Sequence, residues 1–375
     1  MTPPNDRGRL GKLIELLASS ADRTGFVPYD RFMDAALYGE GVGYYTRDDS
    51  PFGRAGDYYT AVHASPLFAR SVAERLRAVL RALPRDVPLL AVELGPGDGL
   101  LAETVASELA ADDSLASRTE YVLVERSPAL AARSLERAES HPGSNQLRVR
   151  VSGGVGAEGP FFGVVVANEL LDAQPARRLG WTGEEWEELG VRTENGVFVP
   201  ATAPLSRPVP APKLPRPSAA GTVLEISPMA EGLVREVADH LVAGLFLVLD
   251  FGMEEAELLA AHPSGTLAAV RRHRNEDDPL RDPGESDLSV FVNFTRVRAA
   301  ASRAGFAEVA FRRQAEALGA WGFPRLLEEE VRSAPSPAEE VRVRLAAKNL
   351  LFGFERFYAL ELAPAGNAES VPALT

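Results

Sequence analysis

Ala91-Val92-Glu93-Leu94-Gly95-Pro96-Gly97-Asp98-Gly99 decides the fold. The segment follows an apolar run, Val87 to Leu94, and opens a stretch of helical pattern, Leu100 to Leu109. A strand, a tight glycine turn and a helix start let backbone approach a bound ligand closely. The spacing discriminates among ligands. A dinucleotide fingerprint beginning at Gly95 and Gly97 needs a third glycine at position 100, which is Leu100. Glycine recurs instead at every second position.

Two more strand ends carry polar residues. Tyr121-Val122-Leu123-Val124-Glu125 reads as a buried strand closing on a carboxylate. Ligands of open α/β sheets sit at the carboxyl ends of strands, where an acidic residue can take a ribose diol. Glu125 is placed for that task, and Ser127-Pro128 starts a helix by cap and first-turn proline. A third apolar strand, Phe161 to Ala167, runs into Asn168-Glu169-Leu170-Leu171-Asp172. Two carboxylates so close can bind a cationic acceptor or manage a proton. They also suit the first turn of a helix, whose dipole favours negative charge.

Composition excludes several classes. The chain has 375 residues, enough for one elaborated domain or two, with 45% hydrophobic and 25% charged residues. Its net charge of −13 argues against a nucleic-acid surface, which needs clustered cations. Lysine occurs only at Lys12, Lys213 and Lys348. There is no Cys, hence no disulfide, thiolate zinc site or cysteine nucleophile. The five His show no paired metal-ligand spacing, so no metal is expected. The start of the chain lacks an apolar signal core, and the longest apolar run, Leu241 to Leu249, falls short of the ~20 residues that span a bilayer. The expectation is a cytoplasmic protein without membrane insertion.

The rest of the chain divides by pattern. Residues 1–70 read as an N-terminal helical cap, with helices at Arg9–Ala18 and Tyr29–Leu37, and a Gly- and Tyr-rich loop, Tyr38 to Thr60. Ser65-Pro66 opens a helix to about Leu83. Residues 71–175 form the first part of a core, with a strand at Gln146–Val151. Residues 176–242 form an insertion holding Trp181, Trp186 and a proline-rich stretch, Pro200 to Pro217, expected as a surface loop. Gly221 to Ile226 is strand-like. Residues 243–365 complete the core, with a strand at Phe246–Asp250, a charged loop at Arg271–Asp287, a helix at Thr295–Arg303 and strands at Ala307–Phe311 and Phe357–Leu362. Residues 366–375 read as a flexible tail. Five β-then-α units and two terminal strands make a doubly wound sheet.

The chain resembles the MidA-like S-adenosylmethionine (SAM) methyltransferases, the group that includes the mitochondrial complex I assembly arginine methyltransferase. The likeness runs from Tyr29 to about Leu362. It rests on an ordered set of blocks: Phe32-Met33 to Tyr38 with Gly43-Tyr44-Tyr45; Gly56-Asp57 and Thr60; Ser65-Pro66 with Phe68; the glycine turn; Glu125 with Ser127-Pro128; Asn168-Glu169 with Asp172-Ala173 and Pro175; Gly265-Thr266-Leu267; and Pro283-Gly284 with Asp287-Leu288. Alternate-position glycine is itself the SAM methyltransferase pattern.

The resemblance implies an α/β, Rossmann-like sheet of seven strands, the last antiparallel, with an N-terminal cap and a large insertion between strands four and five. It implies SAM as cofactor, held by Glu93, Gly95, Gly97, Gly99, Glu125 and Asn168, with Gly56 and Asp57 closing over it. It implies methylation of a protein arginine. An arginine stays protonated in water, and paired carboxylates can hold its guanidinium and bias the charge away from the attacking nitrogen. Glu169 and Asp172 are the candidates. His273, in the charged loop, reads as a loop residue.

Some positions depart from the family pattern: Ala61 replaces a common Ser, Ala268 an Arg, Phe291 a His, and Asp250-Phe251-Gly252 an Asp-Tyr-Gly. The cofactor residues are intact, so the departures bear on the acceptor. A small-molecule acceptor is the first alternative. A non-catalytic SAM-binding assembly factor that grips a partner through the insertion is the second. A homodimer is left open.

Overall fold

The computed structural model describes residues 4–47, 60–140, 143, 145–205, 207–271 and 274–373. These fall into two compact units, each assembled from three chain segments. One comprises 59–170, 235–251 and 301–375; the other comprises 1–58, 171–234 and 252–300.

The first unit is built on a parallel sheet. Its strands are β1 (Leu89–Leu94), β2 (Thr119–Val124), β3 (Arg148–Ser152), β4 (Phe161–Asn168), β5 (Leu241–Met253), β6 (Phe306–Arg313) and β7 (Phe357–Pro364), and β5 continues two residues into the other unit. Their order across the sheet is β6-β7-β5-β4-β1-β2-β3. All neighbouring pairs from β5 to β3 are parallel, and β7 runs antiparallel to both β5 and β6. This is the expected α/β sheet with its last strand reversed and the insertion between β4 and β5; the expected count of seven leaves out one short strand, Val292–Asn293, which pairs parallel with the end of β5. The central strands are near-continuous apolar runs, buried along most of their length. Val164, Val166, Leu245 and Leu247 lie with Leu76, Val105 and Leu109 in one buried core.

Helix starts follow from capping. Ser65 accepts the Leu67 N–H and Ser127 the Leu130 N–H, each before a proline at the first helical position. Four helices of seven or more residues went unread in the sequence: Glu255–Ala261, Gln314–Ala320, Phe323–Arg332 and Pro337–Phe352. Residues Ala365–Ser370 form a 3-10 turn, Arg75 Nη1 donates to the Pro372 carbonyl at 2.6 Å, and Val371 is buried. Those bonds join the segment to the sheet unit.

The second unit holds an antiparallel sheet in the order Val27–Pro28, Trp186–Glu194, Arg177–Trp181, Val223–Ile226, with Val197–Pro204 paired to Trp186–Glu194. The proline-rich stretch therefore begins as a strand, not as loop. Pro200 and Pro204 are tolerated because their strand pairs with one neighbour only. The charged loop likewise contains short strands, Ala268–Arg271 pairing with Arg274–Asn275 and with Asp287–Ser289. Among the described residues no helix is long and apolar enough to cross a membrane.

Buried ion pairs hold this unit together. Arg177 grips Glu188 bidentately at 2.8 and 2.7 Å, both side chains fully buried. Arg207 bridges Glu188 and Asp30. Arg296 donates to Glu255 at 2.6 Å and to the carbonyls of Pro210 and Pro212. Such pairs are tolerated inside because every charge meets an opposite one and further hydrogen bonds.

Candidate cofactor and methyl-acceptor site

Register brings three strand ends of the sheet unit to one level. Leu94 of β1 pairs with Val124 of β2 and with Ala167 of β4. The residues that follow are Gly95, Glu125 and Asn168, three of the positions chosen from sequence. The Gly95 N–H donates to the Val124 carbonyl at 2.9 Å.

The turn needs its glycines. Gly95, Gly97 and Gly99 have φ of +63°, +57° and +80°, the left-handed region that side chains disfavour. A Cβ on Gly99 would come within 2.8 Å of the Ser134 backbone, and one on Gly95 within 2.7 Å of Leu170. The turn thus presents bare backbone where a ligand can approach.

Each acidic candidate has a defined place. Glu93 is buried beneath the turn, and the Tyr121 hydroxyl donates to it at 2.6 Å. Burial pushes its carboxyl up to about 7, against the lowering effect of that bond. The Glu125 carboxylate accepts the Ser127 N–H at 2.8 Å and also bonds the Arg126 and Gly97 backbone, so it straps the turn. Burial raises Glu125 above the usual carboxylate range, and those backbone bonds offset part of the rise.

Asn168 and Glu169 end β4. Asn168 Oδ1 is buried without a hydrogen-bond partner among the described residues. A buried acceptor left bare calls for a donor from a ligand. Glu169 has φ of +50°, rare for a side-chain-bearing residue and sustained only where surroundings over-determine it. Here they do. Its N–H donates to the Leu249 carbonyl at 2.8 Å, and the next N–H, of Leu170, donates to the buried Asp250 carboxylate at 3.1 Å. Glu169 Oε1 accepts the Ala61 N–H at 2.9 Å. That bond uses the Ala61 backbone, so it does not depend on the side chain at position 61.

A network missed in the sequence joins these parts. Thr60 Oγ1 and His63 Nδ1 lie 2.8 Å apart, and His63 Nε2 meets Asp98 Oδ2 at 3.2 Å. Arg137 also donates to that oxygen at 2.7 Å. Burial raises the Asp98 carboxyl, but hydrogen bonding and charge from His63, with the Arg137 guanidinium, hold it below its usual value. The short helix Ala61–Ala64 is thereby tied to both the glycine turn and Glu169. No local pattern marks His63 or Arg137, whose partner lies 35 and 39 residues away.

Asp172 falls in the other unit. It is buried there, its Oδ1 accepting the Ala173 N–H and its carbonyl the Val290 N–H. It neighbours Tyr45, whose hydroxyl donates to Asp287 at 2.8 Å. Burial, then the charges of Asp287 and Asp172, push the Tyr45 phenol well up. Gly56, Asp57 and His273 lie outside the described residues. Among the described residues no acidic or histidine cluster suits a metal ion.

The chain is similar to known proteins over this whole region. The profile of a family described as S-adenosyl-L-methionine-dependent methyltransferases matches residues 69–311. The mitochondrial protein arginine methyltransferase NDUFAF7 homolog of Drosophila melanogaster is 29% identical over 320 residues, 79% of this chain and 71% of that protein. A Burkholderia thailandensis protein crystallised with S-adenosyl-homocysteine superposes with a TM-score of 0.83 at 29% identity, covering 97% of this chain and 95% of the other. A second crystal structure from that organism gives 0.80 at 28% identity, covering 99% and 96%.

Proposed function

The chain belongs to the S-adenosyl-L-methionine-dependent methyltransferase family, and from that premise we propose that its acceptor is an arginine side chain of a protein. The observation that carries this reading is the likeness to a protein arginine methyltransferase over 79% of the chain. The local chemistry agrees with it.

The residues at the three strand ends suit SAM. When bound, the cofactor supplies a methyl group on a sulfonium, open to displacement by a nucleophile. The glycine turn would take its chain, Glu125 the ribose hydroxyls, and Asn168 Oδ1 a donor of the same molecule. We assign the acceptor contact to Glu169 alone. A carboxylate beside a guanidinium holds it by charge-assisted bonds and draws the delocalised charge away from the nitrogen that attacks. Glu169 is pinned by backbone on both sides, so little reorganisation accompanies the transfer.

The test is transfer of labelled methyl from SAM, by purified protein, into lysate of a strain lacking the gene. Label recovered from protein as methylarginine is the expected outcome. Label confined to small molecules would discard the protein acceptor. Glu169→Gln should lower turnover on the order of 10²-fold with SAM affinity unchanged; equal turnover would remove Glu169 from the acceptor site.

A further inference from the structure

A buried imidazole sits between the glycine turn and the Glu169 carboxylate. His63 lies on Ala61–Ala64, a helix of one turn in the sheet unit. A single turn is not stable by its own hydrogen bonds, so its place is fixed by what it touches. Thr60, Ala61 and Val62 are buried, and the His63 side chain is 7% exposed. Thr60 stands at the N-cap of this turn, yet its side chain does not cap it. A threonine there ordinarily accepts an N–H of the first turn through its hydroxyl. Here the hydroxyl faces the imidazole instead, 2.8 Å from Nδ1. The Ala61 N–H, one of the amides that a helix start leaves open, goes to Glu169 Oε1, 108 residues along the chain.

The direction of the bonds follows from their chemistry. Asp98 presents an ionised carboxylate, which only accepts, so the hydrogen on that edge of the ring belongs to Nε2. With Nε2 donating, a neutral ring accepts the Thr60 hydroxyl at Nδ1. Asp98 is not free to follow a displaced ring. Arg137 holds the same oxygen at 2.7 Å, and the Leu100 N–H donates to Oδ1 at 3.3 Å. The imidazole is a strut, with one end on the glycine turn and the other on the residue before Ala61.

Glu169 gains from such a strut. Its backbone is fixed by Leu249 and Asp250, but a glutamate side chain rotates about several bonds beyond Cα. The residue is half-buried, so its carboxylate takes its direction from the bonds it accepts, and the Ala61 N–H supplies one of them. That N–H moves with Thr60 and His63. We infer that His63 is a positioning residue: anchored on Asp98 of the glycine turn, it holds the Ala61 N–H where that N–H aims the Glu169 carboxylate. The inference rests on the reading of Glu169 as the acceptor contact, and it names what orients that carboxylate.

His63→Phe keeps a ring of similar size and removes both nitrogens; a histidine that only filled space would tolerate it. Thr60→Val cuts the strut at its other end with little change of volume, and serves should the Phe variant fold poorly. Labelled methyl transfer into lysate of the strain lacking the gene, at saturating SAM, should fall about tenfold with either variant, the scale of a reacting group held slightly out of place. SAM affinity by calorimetry should be unaltered, because Arg137 still holds Asp98. In protein that already carries Glu169→Ala, which has no carboxylate to aim, neither variant should lower the rate further. An equal fall with and without Glu169 overturns the inference, as does full turnover in His63→Phe when Glu169→Ala has lost it. Deuterium exchange of the Ala61 amide, followed by NMR, needs no methyl acceptor. It should quicken about tenfold in His63→Phe while the Val92 and Val122 amides keep their protection. Quickened exchange together with full turnover in Glu169→Ala upholds the strut and discards the acceptor role of Glu169. Unaltered exchange at Ala61 overturns the strut whatever the turnover.

Discussion

In the sheet unit the ligand face is made by backbone; in the antiparallel unit cohesion is made by side chains. The turn at Gly95, Gly97 and Gly99 works because nothing projects from it. The sheet through Arg177 and Glu188 works because long charged groups project inward and find one another. The first arrangement depends on a few adjacent residues. The second depends on partners brought in from far along the chain, as when Arg207 reaches Asp30. The difference teaches that cofactor binding should fail through strain in a short loop, and the cohesion of the antiparallel unit through charges left alone.

The largest effect is expected on the side-chain side. Glu188→Ala would leave the guanidinium groups of Arg177 and Arg207 close together without their shared carboxylate. Breaking such a buried pair destabilises by about 3–5 kcal/mol, to be read from the denaturant midpoint. A loss under about 1 kcal/mol would mean that water reaches the pair, and the contrast between the units would weaken.

On the backbone side, Gly99→Ala adds one methyl group at φ of +80° against the Ser134 backbone. Strain of about 3 kcal/mol is expected, expressed chiefly as lost SAM affinity in calorimetry. Unchanged affinity would show that the turn adapts, and that bare backbone is not what the cofactor needs.

The last prediction sharpens the comparison, because Glu93 is a buried carboxylate beside the Tyr121 hydroxyl and the like charge of Asp98. Its folded pKa, about 7, lies above the ordinary 4.5. The neutral acid is therefore the form the fold prefers. Below pH 4.5 both states are protonated and no penalty arises. As pH climbs from about 4.5 to about 7 the unfolded state releases its proton first, and stability falls by at most about 3 kcal/mol. Glu93→Gln, which cannot ionise, should stabilise the unliganded protein near pH 8 and make little difference near pH 4. Denaturation at the two pH values checks it; equal effects at both would place the titration elsewhere.

Legibility followed the same division. The strand ends, the glycine turn and the caps at Ser65 and Ser127 are local, and their sequence pattern located them to within a residue or two. Asp98 stands between two glycines of the turn and joins His63 and Arg137, and nothing near it in sequence announces either. Glu169 was visible as a carboxylate at a strand end. Its left-handed backbone was not, since the bonds that fix it come from Leu249 and Asp250 on another strand. The helix Pro337–Phe352 escaped because its apolar residues do not keep to one face. Val341, Leu345 and Phe352 are 55%, 54% and 68% exposed, which blurs the periodicity that identifies a helix.

The reversed strand β7 has a consequence for how the molecule is made. It lies between β5 and β6, hydrogen-bonded to both. A ribosome delivers β5 and β6 first, so each emerges with an edge that has no partner. Those two edges face solvent, or a chaperone, until Phe357–Pro364 has been synthesised and slides between them. A stop codon a few dozen residues early would spare every cofactor residue named above and still leave a sheet with its seam open.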